Sequence, residues 1–180
     1  MKYFEHESAA TFDEAVSLLK ESPKGKTVVM AGGSDLIGVL KEQILEDYPE
    51  KVVDLKTVRG GEYIKQDGDT IEIGALTKLC DIVKSDLLNE KAPVLSQAAR
   101  SVATPLIRNV ATMGGNICQD VRCWFYRYPH GIGGRMDCMR KGGKECYAVM
   151  GDNRYHSIFG GMKVHTTPCS VQCPANTDIP

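Results

Sequence analysis

The chain lacks a surplus of charge: 22 lysines and arginines face 23 aspartates and glutamates across 180 residues. With no basic stripe, it has no electrostatic footprint for nucleic acid. Long apolar runs are missing too. The longest, such as Val28 to Gly33, fall well short of the roughly 20 residues that a membrane helix requires. The opening Met1 to Glu7 has no signal-peptide core, so a cytoplasmic location is expected. Histidine is scarce, and His6, His130, His156 and His165 have no carboxylate paired with them in the sequence. No residue stands out as a dedicated catalytic acid or base. Repeats and low-complexity tracts are also absent.

Cysteine is plentiful but unevenly placed. Cys80 stands alone in the first 117 residues, whereas Cys118, Cys123, Cys138, Cys146, Cys169 and Cys173 crowd the last third. An odd total of seven argues against a complete disulfide framework. In a cytosolic setting such residues are metal ligands, reactive thiols or buried hydrophobes.

Residues 1–117 alternate between strand and helix patterns. Thr11-Phe12-Asp13-Glu14 has capping-box spacing, and Phe12, Ala15, Val16 and Leu19 then share one helical face. Thr27 to Met30 and Val52 to Leu55 are short strands. Residues 62–66 and 70–74 flank an Asp67-Gly68-Asp69 turn, a hairpin signal. The patterns predict helices over about 77–84 and 92–102, the second broken by Thr104-Pro105. The expected class is α+β or α/β. From Gln119 onward neither period persists, and a bound metal centre is the simplest agent that would order such a segment.

Two glycine loops punctuate the first part. Ala31-Gly32-Gly33-Ser34-Asp35-Leu36 follows a strand and opens a helix, which presents backbone N–H groups suited to phosphate. A plain turn with a helix cap has the same letters. The second loop, Ile107-Arg108-Asn109-Val110-Ala111-Thr112-Met113-Gly114-Gly115-Asn116-Ile117, repeats the pairing of glycines with a hydroxyl and an amide. Two such loops are expected to grip a pyrophosphate from both sides. Arg108 suits either a phosphate or a carboxylate anchor.

In order and separation, "AGGSDL" and "IRNVATMGGNI" resemble the FAD-binding subunits of molybdopterin dehydrogenases, the family of xanthine dehydrogenase, the carbon monoxide dehydrogenase medium subunit and 4-hydroxybenzoyl-CoA reductase. The resemblance covers roughly residues 1–160. It implies an α+β, two-lobed FAD-binding fold of the vanillyl-alcohol-oxidase (PCMH) type. It also implies that Met30, Ala31, Gly32, Gly33, Ser34, Asp35 and Leu36 hold the FAD pyrophosphate. Ala103, Ile107, Thr112, Gly115 and Asn116 would line the other side of the cofactor. Relatives continue into a C-terminal sheet domain for which this chain has no room, so the flavin is expected to be more exposed or covered by another subunit.

The cysteine-rich segment, 118–161, resembles an insertion in 4-hydroxybenzoyl-CoA reductase-like and periplasmic aldehyde-oxidase-like flavin subunits that carries a [4Fe–4S] cluster. Cys123, Cys138 and Cys146 match that pattern. Tyr155 stands where some relatives have a further cysteine, so Cys118 is the expected fourth ligand and His156 an alternative. Arg122, Arg127, Arg140 and Lys141 would offset the thiolate charge. A zinc site or reduced structural cysteines would use the same residues. The tail, 162–180, contains "PCSVQCPANTDIP", which resembles the start of the iron–sulfur domain of the glutamate synthase small subunit and of dihydropyrimidine dehydrogenase. Cys169 and Cys173 would need further ligands, so a truncated or naturally split electron-transfer protein is expected.

Together these readings describe an FAD-dependent electron-transfer module. It would exchange electrons with iron–sulfur centres and with a molybdenum-containing or pyridine-nucleotide-linked partner. The rival is a zinc-stabilised, non-redox binding or scaffold module.

Overall fold

The computed structural model describes residues 1–45, 47–129, 136–154, 156–157, 162–163 and 172–173. His130, Tyr155, His165, Cys169 and most of the tail lie outside the described residues. Two compact units emerge. One contains Tyr3–Leu36 and Pro49–Gln119; the other contains Met1–Lys2, Ile37–Tyr48 and the described residues from Asp120 onward.

The first unit opens with a parallel sheet of three short strands, β1 (Glu5–Ser8), β2 (Thr27–Met30) and β3 (Lys51–Asp54), in the order β1-β3-β2. The middle strand is the apolar one, and Val52 and Val53 are fully buried. The two edges differ in character. β1 reads Glu-His-Glu-Ser and has no apolar alternation to announce it. Its place beside β3 is marked by charge instead: Lys51 Nζ lies 2.8 Å from Glu7 Oε2 and 3.8 Å from Glu5 Oε2. A charged edge also discourages pairing with other chains.

Helix α1 (Phe12–Glu21) joins β1 to β2. Thr11 caps it by accepting from the Glu14 N–H at 3.1 Å, and Glu14 Oε2 accepts in turn from the Ala10 N–H at 2.7 Å. These bonds satisfy donors that the first helical turn leaves open. The expected buried face is only partly realised. Ala15 is buried, but Phe12, Val16 and Leu19 are 44%, 44% and 37% exposed. Ala15 and the half-buried Leu18 pack toward Ala9, Val53, Val58 and Leu76. The small helix therefore inserts along a narrower stripe than its apolar letters describe.

Strands β4 (Ile64–Asp67) and β5 (Thr70–Ile73) form the expected hairpin around Gly68-Asp69. Ile64, Ile71 and Ile73 pack on a second core, built from Leu79 and Ile82 of α3 (Leu79–Lys84), Leu88 of α4 (Asp86–Lys91), Ala99 of α5 (Pro93–Ser101) and Ala111. Ser85 ends α3 and caps α4 by accepting from the Leu88 N–H at 3.3 Å, so one residue turns the chain between two six-residue helices. Too short to show a period, α4 is not visible in the sequence pattern.

In the other unit, α2 (Leu36–Lys41) runs in from the first glycine loop and buries Val39 and Leu40. Tyr48 is buried there, its hydroxyl donating toward the Leu40 carbonyl at 3.4 Å. α8 (Tyr147–Met150) follows a 3₁₀ turn at Met139–Lys141. Two two-residue strands, β6 (Met162–Lys163) and β7 (Gln172–Cys173), pair antiparallel. Among the described residues, no helix is long and apolar enough to cross a membrane.

The second core fixes the platform beneath the loops, and its depth sets a clear expectation. Ile82 is fully buried, so Ile82→Ala should cost about 2–5 kcal/mol of unfolding free energy. Val94 on α5 is 77% exposed, and Val94→Ala should change stability by no more than ~0.5 kcal/mol. Urea unfolding of both variants checks the contrast, and equal losses would show that α3 is not the anchor described.

Candidate functional site

The first loop leaves β2 at Met30, whose carbonyl accepts from the Leu55 N–H at 2.8 Å. Beyond this point the backbone turns on glycine. Gly33 adopts φ +72°, the left-handed region that costs other residues strain. Gly32 has a different reason to be glycine: a Cβ there would lie 2.1 Å from the Val110 carbonyl oxygen. The two loops thus touch backbone to backbone. They meet again where a Cβ on Gly115 would approach Ala31 Cβ at 3.9 Å.

Among the described residues, none accepts a hydrogen bond from the backbone N–H groups of Gly32, Gly33 or Ser34. Successive N–H groups around a left-handed residue form a concavity that favours anions. Ser34 is exposed beside them, and Asp35 is half-buried and engaged within the protein. Leu36 then begins α2.

The second loop contains two short helices, α6 (Pro105–Arg108) and α7 (Met113–Ile117). Thr104 caps α6, and Pro105 supplies its first turn without an N–H to satisfy. Thr112 caps α7 by accepting from the Gly115 N–H at 3.1 Å. Three further amides of this loop are committed. Met113 donates to Thr77 O at 2.8 Å, Gly114 to Ala75 O at 2.8 Å, and Asn116 to Thr112 O at 2.9 Å. The two loops therefore differ: the first presents uncommitted N–H groups, whereas the N–H groups from Met113 to Asn116 of the second are tied into its own platform. What the second loop offers is side chains. Thr112 is buried, Ile107 is 37% exposed, and the half-buried Asn116 accepts from Gln119 Nε2 at 3.0 Å.

Arg108 bonds to backbone carbonyls. Its Nη1 donates to the carbonyls of Val102 at 2.6 Å and Ala103 at 3.3 Å. Ala103, a residue with a Cβ, is held at φ +41°.

Among the described residues, no three His, Cys, Asp or Glu side chains form a group able to hold a metal ion. Cys118 is exposed at the end of α7, in the unit of the glycine loops. In the other unit, Cys123 and Cys138 are buried in an apolar cluster with Val39, Ile44, Val121 and Tyr126, while Cys146 is half-buried. Cysteine is a small hydrophobe, and these two behave as core side chains here.

Three of the cations expected to balance thiolates, Arg127, Arg140 and Lys141, have partners around Asp120 and Tyr126. Asp120 receives the Tyr126 hydroxyl on Oδ2 and Arg140 Nη2 on Oδ1 at 3.3 Å. Arg127 donates to the carbonyls of Val121 at 2.7 Å and Asp120 at 2.9 Å. Arg140 and Lys141 lie over the Tyr126 ring at 5.4 and 5.6 Å, within range of cation–π attraction. Burial, followed by the negative charge of Asp120, pushes the Tyr126 hydroxyl well above the usual phenol range. This network was not foreseen. Its one sequence signal is the density of Arg, Tyr and Asp between 120 and 141, which also fits a charge-balancing role. Among the described residues, both buried ring nitrogens of His156 lack a hydrogen-bond partner.

Comparison with known proteins fits the position of the loops. The family described as "FAD binding domain in molybdopterin dehydrogenase" matches residues 2–124, more than half of the chain and both glycine loops. The nicotinate dehydrogenase FAD-subunit of Eubacterium barkeri is 34% identical over 117 residues, covering 65% of this chain and 39% of the relative. The aldehyde oxidoreductase FAD-binding subunit PaoB of Escherichia coli (strain K12) is 29% identical over 161 residues, or 89% of this chain and 48% of the relative. A match of that length cannot stop short of the cysteine-rich segment. Among solved structures, carbon monoxide dehydrogenase from Hydrogenophaga pseudoflava superposes with a TM-score of 0.61 at 31% identity, covering 64% of this chain and 39% of that one. The chain thus spans less than half the length of these relatives. With the family match running through both loops and the platform that joins them, the chain belongs to the FAD-binding domain family of the molybdopterin dehydrogenases.

Proposed function

We propose that the paired glycine loops hold FAD, with Met30 to Leu36 on the pyrophosphate side and Ala103, Ile107, Thr112, Gly115 and Asn116 on the other. The observation that carries this reading is the row of uncommitted N–H groups at Gly32, Gly33 and Ser34, closed on one side by the Val110 backbone. A cradle without a Cβ, lined with donors, suits a diphosphate. The second loop would contribute the Thr112 hydroxyl and the Asn116 amide on a rigid base. When bound, FAD supplies the exchange of electron pairs and single electrons, while the chain orients it and restricts water.

At the level of the complex, the module would pass electrons to or from a molybdenum-containing subunit, an iron–sulfur subunit or a pyridine-nucleotide-linked flavoprotein. That relatives of this family are named as FAD subunits of larger enzymes supports an assembly of this kind. The two-lobed vanillyl-alcohol-oxidase architecture, with FAD-binding lobes over 1–117, a cysteine-rich segment over 118–161 and an iron–sulfur-like tail over 162–180, belongs to the same proposal.

A [4Fe–4S] cluster at Cys118, Cys123, Cys138 and Cys146 is a second reading. Two observations favour it: the PaoB match runs through this segment, and the two buried ring nitrogens of His156 have no hydrogen-bond partner among the described residues. Among the described residues, no three His, Cys, Asp or Glu side chains form a group able to hold a metal ion.

Two measurements test these readings. Titration with FAD, followed by flavin fluorescence, should show one site per chain. Gly32→Ala drives a Cβ into the Val110 carbonyl and should weaken FAD at least about tenfold, the scale of one unit of overpacking energy. Gly38→Ala meets nothing within 4 Å and serves as the control that leaves affinity unchanged. Equal affinities for all three proteins would remove the loop from the site. For the second reading, iron and acid-labile sulfide are assayed on anaerobically purified protein. About four irons per chain would establish the cluster, and zinc without iron or flavin would favour a structural scaffold.

A further inference from the structure

Ala103 is held at a backbone angle that glycine adopts freely and alanine does not, φ +41°. Such a conformation persists only where its surroundings impose it. The imposing group is five residues away. Arg108, at the end of α6, folds back so that one guanidinium nitrogen donates to the Val102 and Ala103 carbonyls at 2.6 and 3.3 Å. Those two carbonyls belong to the peptide groups on either side of Ala103. The Val102 carbonyl is also an open acceptor at the C-terminal end of α5, so the bond closes α5 onto α6. The loop between them is further held by Thr104, whose hydroxyl accepts from the Ile107 N–H at 3.4 Å. Ala103 and Ile107 themselves remain exposed.

On the reading of this loop as one wall of the flavin site, we infer that Arg108 is a positioning residue for FAD. It holds Ala103 in the left-handed conformation that fixes the wall, and it does not contact the cofactor's phosphates. A cation at this point of a proposed pyrophosphate site invites the opposite assignment, but one of its three nitrogens, Nη1, is already directed at two carbonyls. The two roles predict different things when Ala103 is changed. Glycine occupies positive φ without strain, so a glycine at 103 needs no guanidinium to hold it.

The test uses the full chain and four variants: Arg108→Ala, Arg108→Lys, Ala103→Gly and the double variant Arg108→Ala/Ala103→Gly. FAD affinity is read from flavin fluorescence and thermal midpoint from the FAD-free protein. Arg108→Ala should weaken FAD about tenfold, the population cost of releasing one strained residue. Arg108→Lys keeps a single donor and should lose less. Ala103→Gly alone supplies the reference for this position, and the double variant should bind within about threefold of it, regaining most of the affinity lost in Arg108→Ala. If Arg108→Ala does not fold, recovery of folding and binding in the double variant carries the same conclusion. A double variant as weak as Arg108→Ala would overturn the inference and assign the guanidinium to the cofactor directly. A lowered thermal midpoint with unchanged affinity would overturn it in favour of a purely structural bond. If the parent binds no FAD, the flavin reading of the loops fails first and this role falls with it. Parent binding with an indifferent Arg108→Ala would remove this role alone.

Discussion

The contact between Gly32 and the Val110 carbonyl organises the first unit. Two stretches of backbone nearly eighty residues apart approach until no Cβ fits between them. Everything around the loops serves this approach. β2 delivers Ala31 and Gly32 to the end of a parallel sheet whose middle strand buries Val52 and Val53 completely. On the other side, Leu79 donates its N–H to the Ala111 carbonyl at 2.9 Å, which fastens the second loop to α3. An interaction that depends on two backbones at contact distance tolerates little movement in either support. Two apolar clusters hold these supports, one around Val53 with Ala31 packed against it and one around Leu79 and Ala111.

From this contact follows a division of labour. Hydrogen bonds that would otherwise be open at the second loop are closed by Ala75, Thr77 and Thr112, which makes that loop a rigid wall. The first loop keeps its N–H groups uncommitted, and Gly33 turns them along one side of the chain. Rigid wall and open donors are complementary requirements for holding a charged, extended cofactor. Neither loop meets both alone.

The cysteine-rich unit rests on different physics. Its centre is an ion network over an aromatic ring, with Asp120, Arg140 and Lys141 around Tyr126 and apolar side chains beneath. Buried charge in such a network is retained when each member has a partner. The thiols of Cys123 and Cys138 lie in the apolar part, while the buried ring nitrogens of His156 have no hydrogen-bond partner among the described residues.

Much of the first unit was legible in the sequence. Wherever the determinant was local, the reading and the structure coincide: the Thr11 cap, the hairpin around Gly68, the stop at Pro105, and glycines in loops that follow a strand or a cap. The pair of glycine motifs identified the family, because their residue types and separation are carried by the chain itself. Other features required the folded chain. β1 has no apolar pattern, and only pairing with β3 makes it a strand. The exposed Phe12, Val16 and Leu19 look like a core face until the sheet selects Ala15 and Leu18 instead. Arg108 has the letters of a phosphate ligand, and only the course of the backbone brings two carbonyls to its guanidinium. The cysteine spacing named candidate ligands, but convergence of ligands is a property of three dimensions, and the described residues do not show it. Sequence by itself determined caps, turns and the identity of the loops, since each depends on a few neighbouring residues. Tertiary structure alone decided which amides stay open, which face is buried and which partner each charge finds, since those depend on groups distant in the chain.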